Sequence, residues 1–427
     1  MSATPGTDLD EHAERAGAPP ESAPEPDRPG ESLRAWGRRT AHEYGPALAV
    51  YGVVKLAGFT TFMWLLSWSG SYRALNPRFG GGAQPWDVLG GWDGWWYQQI
   101  AVNGYNPGPL KVIGPPPFEF EQNSVAFFPL YPGAIRLVST VTGLGSYGAG
   151  MVVSVLASFF AAAGIYALTK RLFDRKTGVI AAAIWGFFPG SGVEWAVYSD
   201  SLFVALAVWA CFFILERRWL AAGVTVFVAG LNRPTAAALV AALGVAALIA
   251  LYRRKDGWIG PLSALLVAPL GFVGYLAWVN WQMGDWGGYF KLQKGAWLHF
   301  FDYGKHTGAV LKTILQGKGA YAFTYPTEDM IALFLVVLLP PLIWLLIRLK
   351  VPVFLLVYTA VTIVLVLGSS QIFGNTSRYL LPAFPLFLPI AVALRRLSLP
   401  ALAGLVGWAA VASGWYAGYV LFELGIP

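Results

Sequence analysis

Cysteine is nearly absent from this sequence. The one thiol, Cys211, lies inside an apolar run, which excludes a disulfide framework and a cysteine-based metal site. Charge is scarce too: 12% of the 427 residues are charged against 56% hydrophobic, far from the balance of a soluble globular domain. No G-x-x-x-x-G-K-[ST] loop occurs, so nothing supports ATP-driven transport by this chain alone. The glycines at 80–82 and at Gly90 and Gly91 precede no strand and give no dinucleotide fingerprint. The only Asp-x-Asp, Asp8 to Asp10, falls in the N-terminal tail, which argues against a nucleotide-sugar site built on a divalent metal. No Ser or Cys is matched to a His for nucleophilic catalysis. The first 40 residues lack the apolar stretch of a cleavable signal peptide.

What the chain does have is apolar length. Its mean hydropathy is +0.54, and runs close to the roughly 20 residues that cross a bilayer core recur after residue 45. This is the composition of an all-α, multi-pass membrane protein. Aromatics make up 15% of the chain, with 19 Trp, enough for broad interfacial belts or a ring-lined cavity. The net charge of +7 is not a nucleic-acid stripe. Residues 1–31 hold eight acids against Arg15 and Arg28 and are rich in proline, so residues 1–44 read as a disordered cytoplasmic tail with a basic juxtamembrane end. The positive charge sits in short clusters between apolar runs, at 34–39, 170–176, 216–218, 253–255, 348–350 and 395–396. Under the positive-inside rule these face the cytoplasm, and no nucleic-acid partner is expected.

That constraint closes with about 11 spans in a membrane domain over residues 45–427. They are predicted at 46–68, 149–169, 178–191, 201–215, 219–231, 235–252, 259–281, 330–347, 352–368, 380–394 and 401–423. The third and fifth are short and abut Pro189 and Pro234, as helices lining a cavity do. Two long segments, about 69–148 and 282–329, fall outside. In the first, "GGWDGWWYQQIAVNGY" predicts an amphipathic helix with Trp92, Trp96, Ile100 and Asn103 near one face and Asp93 as its cap. "AFFPLYPGAIRLVSTVTG" predicts a second helix at the same surface.

The polar residues that are not basic clusters gather on that outer side. Asp87 and Asp93 lie in the first external segment, Asp200 before the fourth span, Asn232 and Arg233 between the fifth and sixth, His299 in the second segment, and Arg378 before the tenth. Carboxylates and arginines at several helix ends on one face point to a polar chamber. Transfer of a sugar from a polyprenyl phosphate fits such a chamber. One or two arginines, Arg378 and Arg233, would bind the lipid phosphate, and an aspartate would deprotonate the acceptor hydroxyl. The alternative is a secondary transporter or lipid flippase, which short Pro-interrupted helices also mark, although few ionisable residues sit in mid-span.

"GGWDGWWYQQIAVNGY" followed by "NSVAFFPLYP" resembles the paired signature of the PIG-V-like mannosyltransferases. "VYSDSLF" at Val197–Phe203 resembles a further element of that family, with Asp200 where Glu is usual, and "NRPTA" at Asn232–Ala236 resembles its arginine-containing element. The resemblance implies a C-type glycosyltransferase fold with juxtamembrane helices in the first external loop. It also implies Asp93 as general base, with Asp87 the alternative, and a polyprenyl-phosphate-mannose donor giving an α-mannoside by inversion. Substrate contacts are expected from Asp200, Trp92, Trp96, Tyr97, Asn232, Tyr198 and His299. No cofactor is required, with a divalent metal left open. The acceptor is a glycolipid, a glycan or a protein. A bacterial plasma membrane is expected, with the N-terminus cytoplasmic and the site external.

Overall fold

A computed structural model describes residues 33–254, 257–318, 326–425 and 427. Among them every regular element is helical, apart from two isolated bridges, Val112 with Phe120 and Phe301 with Ser369. The described residues up to Gly45 fall in one unit and those from Pro46 in another. Most of the predicted tail lies outside the described residues, and from Leu33 the chain is helical.

The helices run in the order α1 (Leu33–Ser69), α2 (Asp93–Asn103), α3 (Leu130–Thr142), α4 (Ser146–Leu172), α5 (Arg175–Phe187), α6 (Asp200–Leu215), α7 (Trp219–Gly230) and α8 (Ala237–Arg253). They continue with α9 (Ile259–Val267), α10 (Leu270–Met283), α11 (Gly288–Trp297), α12 (Lys305–Leu315), α13 (Pro326–Arg348), α14 (Val353–Leu367), α15 (Thr376–Tyr379), α16 (Phe387–Leu394) and α17 (Leu399–Ser413). A π-helix over Gly414–Leu424 extends the last. Among the described residues six helices are long and apolar enough to cross a membrane, and four shorter apolar ones accompany them. The chain is a multi-pass membrane protein.

Each predicted span falls on a helix, and proline explains where the bounds differ. α5 stops at Phe187 because the residue before Pro189 is pushed out of the helical region. The span predicted at 259–281 is interrupted at Ala268 and Pro269, where the ring removes an amide donor. The one predicted at 380–394 becomes helical only from Phe384, after Pro382.

The two juxtamembrane helices form where expected, as α2 and α3, but α2 buries a different face. Gly94, Tyr97, Ile100 and Ala101 are inside, while Trp92, Trp95 and Trp96 are half-buried. Gly94 lets the helix approach the Val197 main chain, where an added Cβ would stand 3.0 Å from its oxygen. Tyr97 and Ala101 then join Tyr131, Ile135, Ala149 and Val197 in one apolar cluster. A second cluster, including Val125, Phe128, Tyr275, Tyr289 and Leu292, fastens the chain between α2 and α3 to α10 and α11. Through Val197, Leu202 and Leu231 the two clusters hold this segment against the start of α6 and the end of α7.

Candidate active site

Asp93 is placed by an unusual backbone step. Trp92 takes φ 53° and ψ −118°, a costly region for any residue with a Cβ. The Trp92 amide donates to the Arg78 main-chain oxygen at 2.8 Å, and its ring packs against Phe79 with centroids 4.8 Å apart. Asp93 therefore becomes the first residue of α2, and no side chain caps that helix. The expectation that Asp93 is an N-cap is corrected here. Its carboxylate Oδ2 instead accepts from Arg378 Nη2 at 2.6 Å, a charge-assisted bond stronger than an amide cap.

Arg378, in the short α15, organises the site. The same Nη2 donates to Asp200 Oδ2 at 3.1 Å, and Nη1 donates to the Pro427 main-chain oxygen at 2.7 Å. Its guanidinium lies 4.6 Å from the Tyr198 ring centroid and 5.6 Å from that of Tyr379. The Arg378 side chain is 2% exposed and that of Asp200, at the start of α6, 1%. Arg233 forms an ion pair with the other oxygen of Asp200. It stands just ahead of the 3-10 turn Pro234–Ala236 that leads into α8. The buried Arg378 and Asp200 and the partly buried Arg233 and Asp93 thus compensate one another, as charges taken out of water must.

A cavity of about 320 Å³ opens beside this set. Asp93, Arg378, His299 and Gln371 contribute polar groups to it, and Arg78 and Glu328 add charge. Trp92, Trp96, Trp297 and Phe118 form much of its aromatic wall. Trp96 is braced by stacking on Phe127 at 5.6 Å and by an edge contact with Trp297 at 6.0 Å. His299 lies between α11 and α12, and burial holds its imidazole below the ordinary value, against the opposing pull of Asp93. A neutral ring offers one donor and one acceptor to a ligand. Among the described residues no group of three or more His, Cys, Asp or Glu is arranged to hold a metal ion.

The other predicted site residues are placed differently. Asp87 lies outside the cavity lining, and its carboxylate accepts from the Gln84 amide at 2.9 Å, closing the 3-10 turn Pro85–Gly90. Tyr97, Tyr198 and Asn232 lie behind the cavity wall and are buried. Tyr97 Oη is 2.7 Å from Ser199 Oγ, Asn232 Nδ2 donates to the Ser199 oxygen at 3.0 Å, and Tyr198 Oη donates to the Gly91 oxygen at 3.2 Å. These three tie α2, the loop before it and the end of α7 to the start of α6. Arg233 pairs with Asp200 and does not line the cavity.

Arg78, Trp297 and Glu328 line the cavity as well and are additions to the predicted site residues. Arg78 is the informative case. Its guanidinium lies 5.2 Å and 5.3 Å from the Trp95 and Trp96 rings and bonds Gln122. Among the described residues no carboxylate pairs with it. An arginine close to "WDGWW" was the available clue, since tryptophan faces attract guanidinium groups.

Comparison with known proteins places this architecture. A family model described as dolichyl-phosphate-mannose-protein mannosyltransferase matches residues 127–281, less than half of the chain. No curated protein sequence matches. Among solved structures, ArnT from Cupriavidus metallidurans bound to undecaprenyl phosphate is similar, with a TM-score of 0.50 at 14% identity, over 85% of this chain and 62% of that one. The chain thus spans less than two thirds of ArnT. The Archaeoglobus fulgidus oligosaccharyltransferase, tethered with an acceptor peptide, aligns with a TM-score of 0.44 at 16% identity, over 89% of this chain and 56% of its own. The chain has the C-type glycosyltransferase fold, with every regular element among the described residues helical and with α2 and α3 in the long segment that follows α1.

Proposed function

We propose that this protein is an inverting glycosyltransferase that moves a sugar from a polyprenyl-phosphate carrier to a hydroxyl of a glycolipid, glycan or protein acceptor. One observation carries the reading. Asp93 is held by Arg378 through Oδ2 alone among its described partners, and it lines a cavity together with Arg78, a cation that pairs with no carboxylate among the described residues. Asp93 would take the proton of the acceptor hydroxyl as that oxygen attacks the anomeric carbon. The bond from that carbon to the phosphate oxygen breaks, and the lipid phosphate leaves with the electron pair. Oxocarbenium character develops at the anomeric carbon as the two events overlap, and the negative charge that builds on the departing phosphate is what a nearby cation stabilises. Mannose is the sugar proposed, supported by the description of the matching family model and by the PIG-V-like motifs. The site faces outward from a bacterial plasma membrane, with the basic clusters in the cytoplasm.

The phosphate position follows from charge. Arg378 and Arg233 are already matched by Asp93 and Asp200, so they offer an incoming anion little uncompensated charge. Arg78 stands at the cavity over tryptophan faces, and we assign the phosphate to it. Arg378 also lines the cavity, but with its charge spent on Asp93 and Asp200 it acts as the group that orients Asp93. Arg78→Ala is expected to weaken binding of a short-chain prenyl monophosphate about 10- to 100-fold, the worth of a charge-assisted pair. Calorimetry in detergent, with the prenyl alcohol as control, measures it. Unchanged affinity in Arg78→Ala would place the phosphate elsewhere. The activity itself is tested by incubating purified protein with a panel of polyprenyl-phosphate sugars and a total lipid extract. Absence of any glycosylated product from every donor would overturn the proposal.

A further inference from the structure

A second set of buried charges lies away from the cavity, in the middle of α1. Lys55 Nζ donates to the Ser191 main-chain oxygen at 2.6 Å and stands 3.4 Å from Glu194 Oε2. Tyr51, one turn earlier, donates its hydroxyl to the same carboxylate oxygen at 2.8 Å. Lys55 is 6% and Glu194 0% exposed, and among the described residues Glu194 Oε1 has no hydrogen-bond partner. A charged pair in so apolar a setting is expensive to bury, and an apolar pair of similar volume would serve stability as well or better. Stability is therefore a poor account of it.

The pair grips the 3-10 turn Ser191–Trp195, and that turn touches the site at both ends. Downstream it runs directly into Tyr198, Ser199 and Asp200. Val197 donates its amide to the Leu89 oxygen at 2.9 Å, tying the same segment to the loop that carries Asp93. Upstream, a Cβ added to Gly190 would overlap the Ser377 main-chain oxygen and stand 2.7 Å from Arg378 Cα. One added to Gly192 would overlap the Ala417 oxygen in the π-helix. The turn is thus in close contact with the backbone of Ser377 and Arg378 on one side and of the π-helix on the other. Three further bonds fix it from other helices: Trp195 Nε1 to Ser158 Oγ at 3.2 Å, Ser201 Oγ to the Glu194 oxygen at 3.0 Å, and Ser191 Oγ with Ser413 Oγ at 2.9 Å.

We infer that Lys55 and Glu194 are positioning residues, which set the register of the Ser191–Trp195 turn and thereby the spacing between Asp93, Asp200 and Arg378. The inference rests on the site assignment above for its effect on catalysis, but its structural content is independent of any reaction. The test is the double variant Lys55→Met with Glu194→Leu, beside the conservative Glu194→Gln. Hydrogen exchange by mass spectrometry and the thermal midpoint are measured on the full chain in detergent. The double variant is expected to keep its midpoint while the amides of 89–94 and 196–201 exchange at least tenfold faster, with α4 unchanged. Glu194→Gln, which can still accept from Tyr51 and Lys55, is expected to exchange as the wild type does. Where transfer is measurable in the wild type, kcat of the double variant should fall roughly 10- to 100-fold, the scale of a misplacement near 1 Å, with a much smaller change in donor KM. Unchanged exchange at 89–94 and 196–201 in a folded double variant would overturn the inference, as would a kcat within twofold of wild type. Faster exchange without detectable transfer in any form would uphold the positioning role and count against the glycosyltransferase reading instead.

Discussion

Asp93→Asn is expected to leave the protein folded and to lower sugar transfer by about 10²- to 10⁴-fold, the usual worth of a general base. The substitution keeps an oxygen for Arg378 to bond, and the side chain is 32% exposed, so little of the fold depends on its charge. What it removes is the ability to take a proton from the acceptor hydroxyl. Single-turnover transfer by the purified variant, with its thermal unfolding recorded alongside, separates chemistry from folding. Asp87→Asn supplies the contrast. That carboxylate closes a 3-10 turn outside the cavity lining, so its loss should alter stability slightly and transfer by no more than about threefold, within the usual range for a surface cap. If the two results were exchanged, the base would be Asp87 and the cavity would not be the reaction centre. Turnover of Asp93→Asn within tenfold of wild type would remove Asp93 from the role.

The helical bundle was legible because its signals are local. Apolar length, basic clusters and prolines place the helices on which the predicted spans fall, and the same prolines account for the differences at Phe187, Pro269 and Pro382. Both juxtamembrane helices were legible for a similar reason. The buried face of α2 was not, because the tryptophans dominate any hydrophobic count while the space beside Val197 admits only Gly94. The convergence of Asp93, Asp200, Arg233 and Arg378 could be anticipated from topology, which puts all four at one end of the bundle. Their pairing could not, since nothing in the chain order reveals that Arg378 reaches Asp93 and Asp200 with a single nitrogen. Chain order is equally silent on Arg78, which pairs with no carboxylate among the described residues, a property of the folded arrangement.

That pairing changes what Arg378→Ala should do. A phosphate contact at the rim of a cavity would show itself as weaker donor binding in a stable protein. The observed guanidinium is 2% exposed and joins two carboxylates and the Pro427 oxygen. Breaking a buried charge pair by deleting one partner typically costs about 3–5 kcal/mol, because the other charge stays buried without its counterion. Asp200 would keep Arg233, so the lower end of that range applies, but a large fall in thermal midpoint and in yield is still expected. Arg378→Lys keeps a positive charge yet presents a compact ammonium where a planar fork spans three acceptors. It should fold better than the alanine variant and still transfer slowly, because Asp93 is no longer oriented. The measurements are the midpoint for both variants and, for Arg378→Lys, the separate effects on kcat and donor KM. A reduced kcat with donor KM near wild type supports an orienting role. An Arg378→Ala protein with a normal midpoint and only a raised donor KM would return Arg378 to the phosphate and take that role from Arg78.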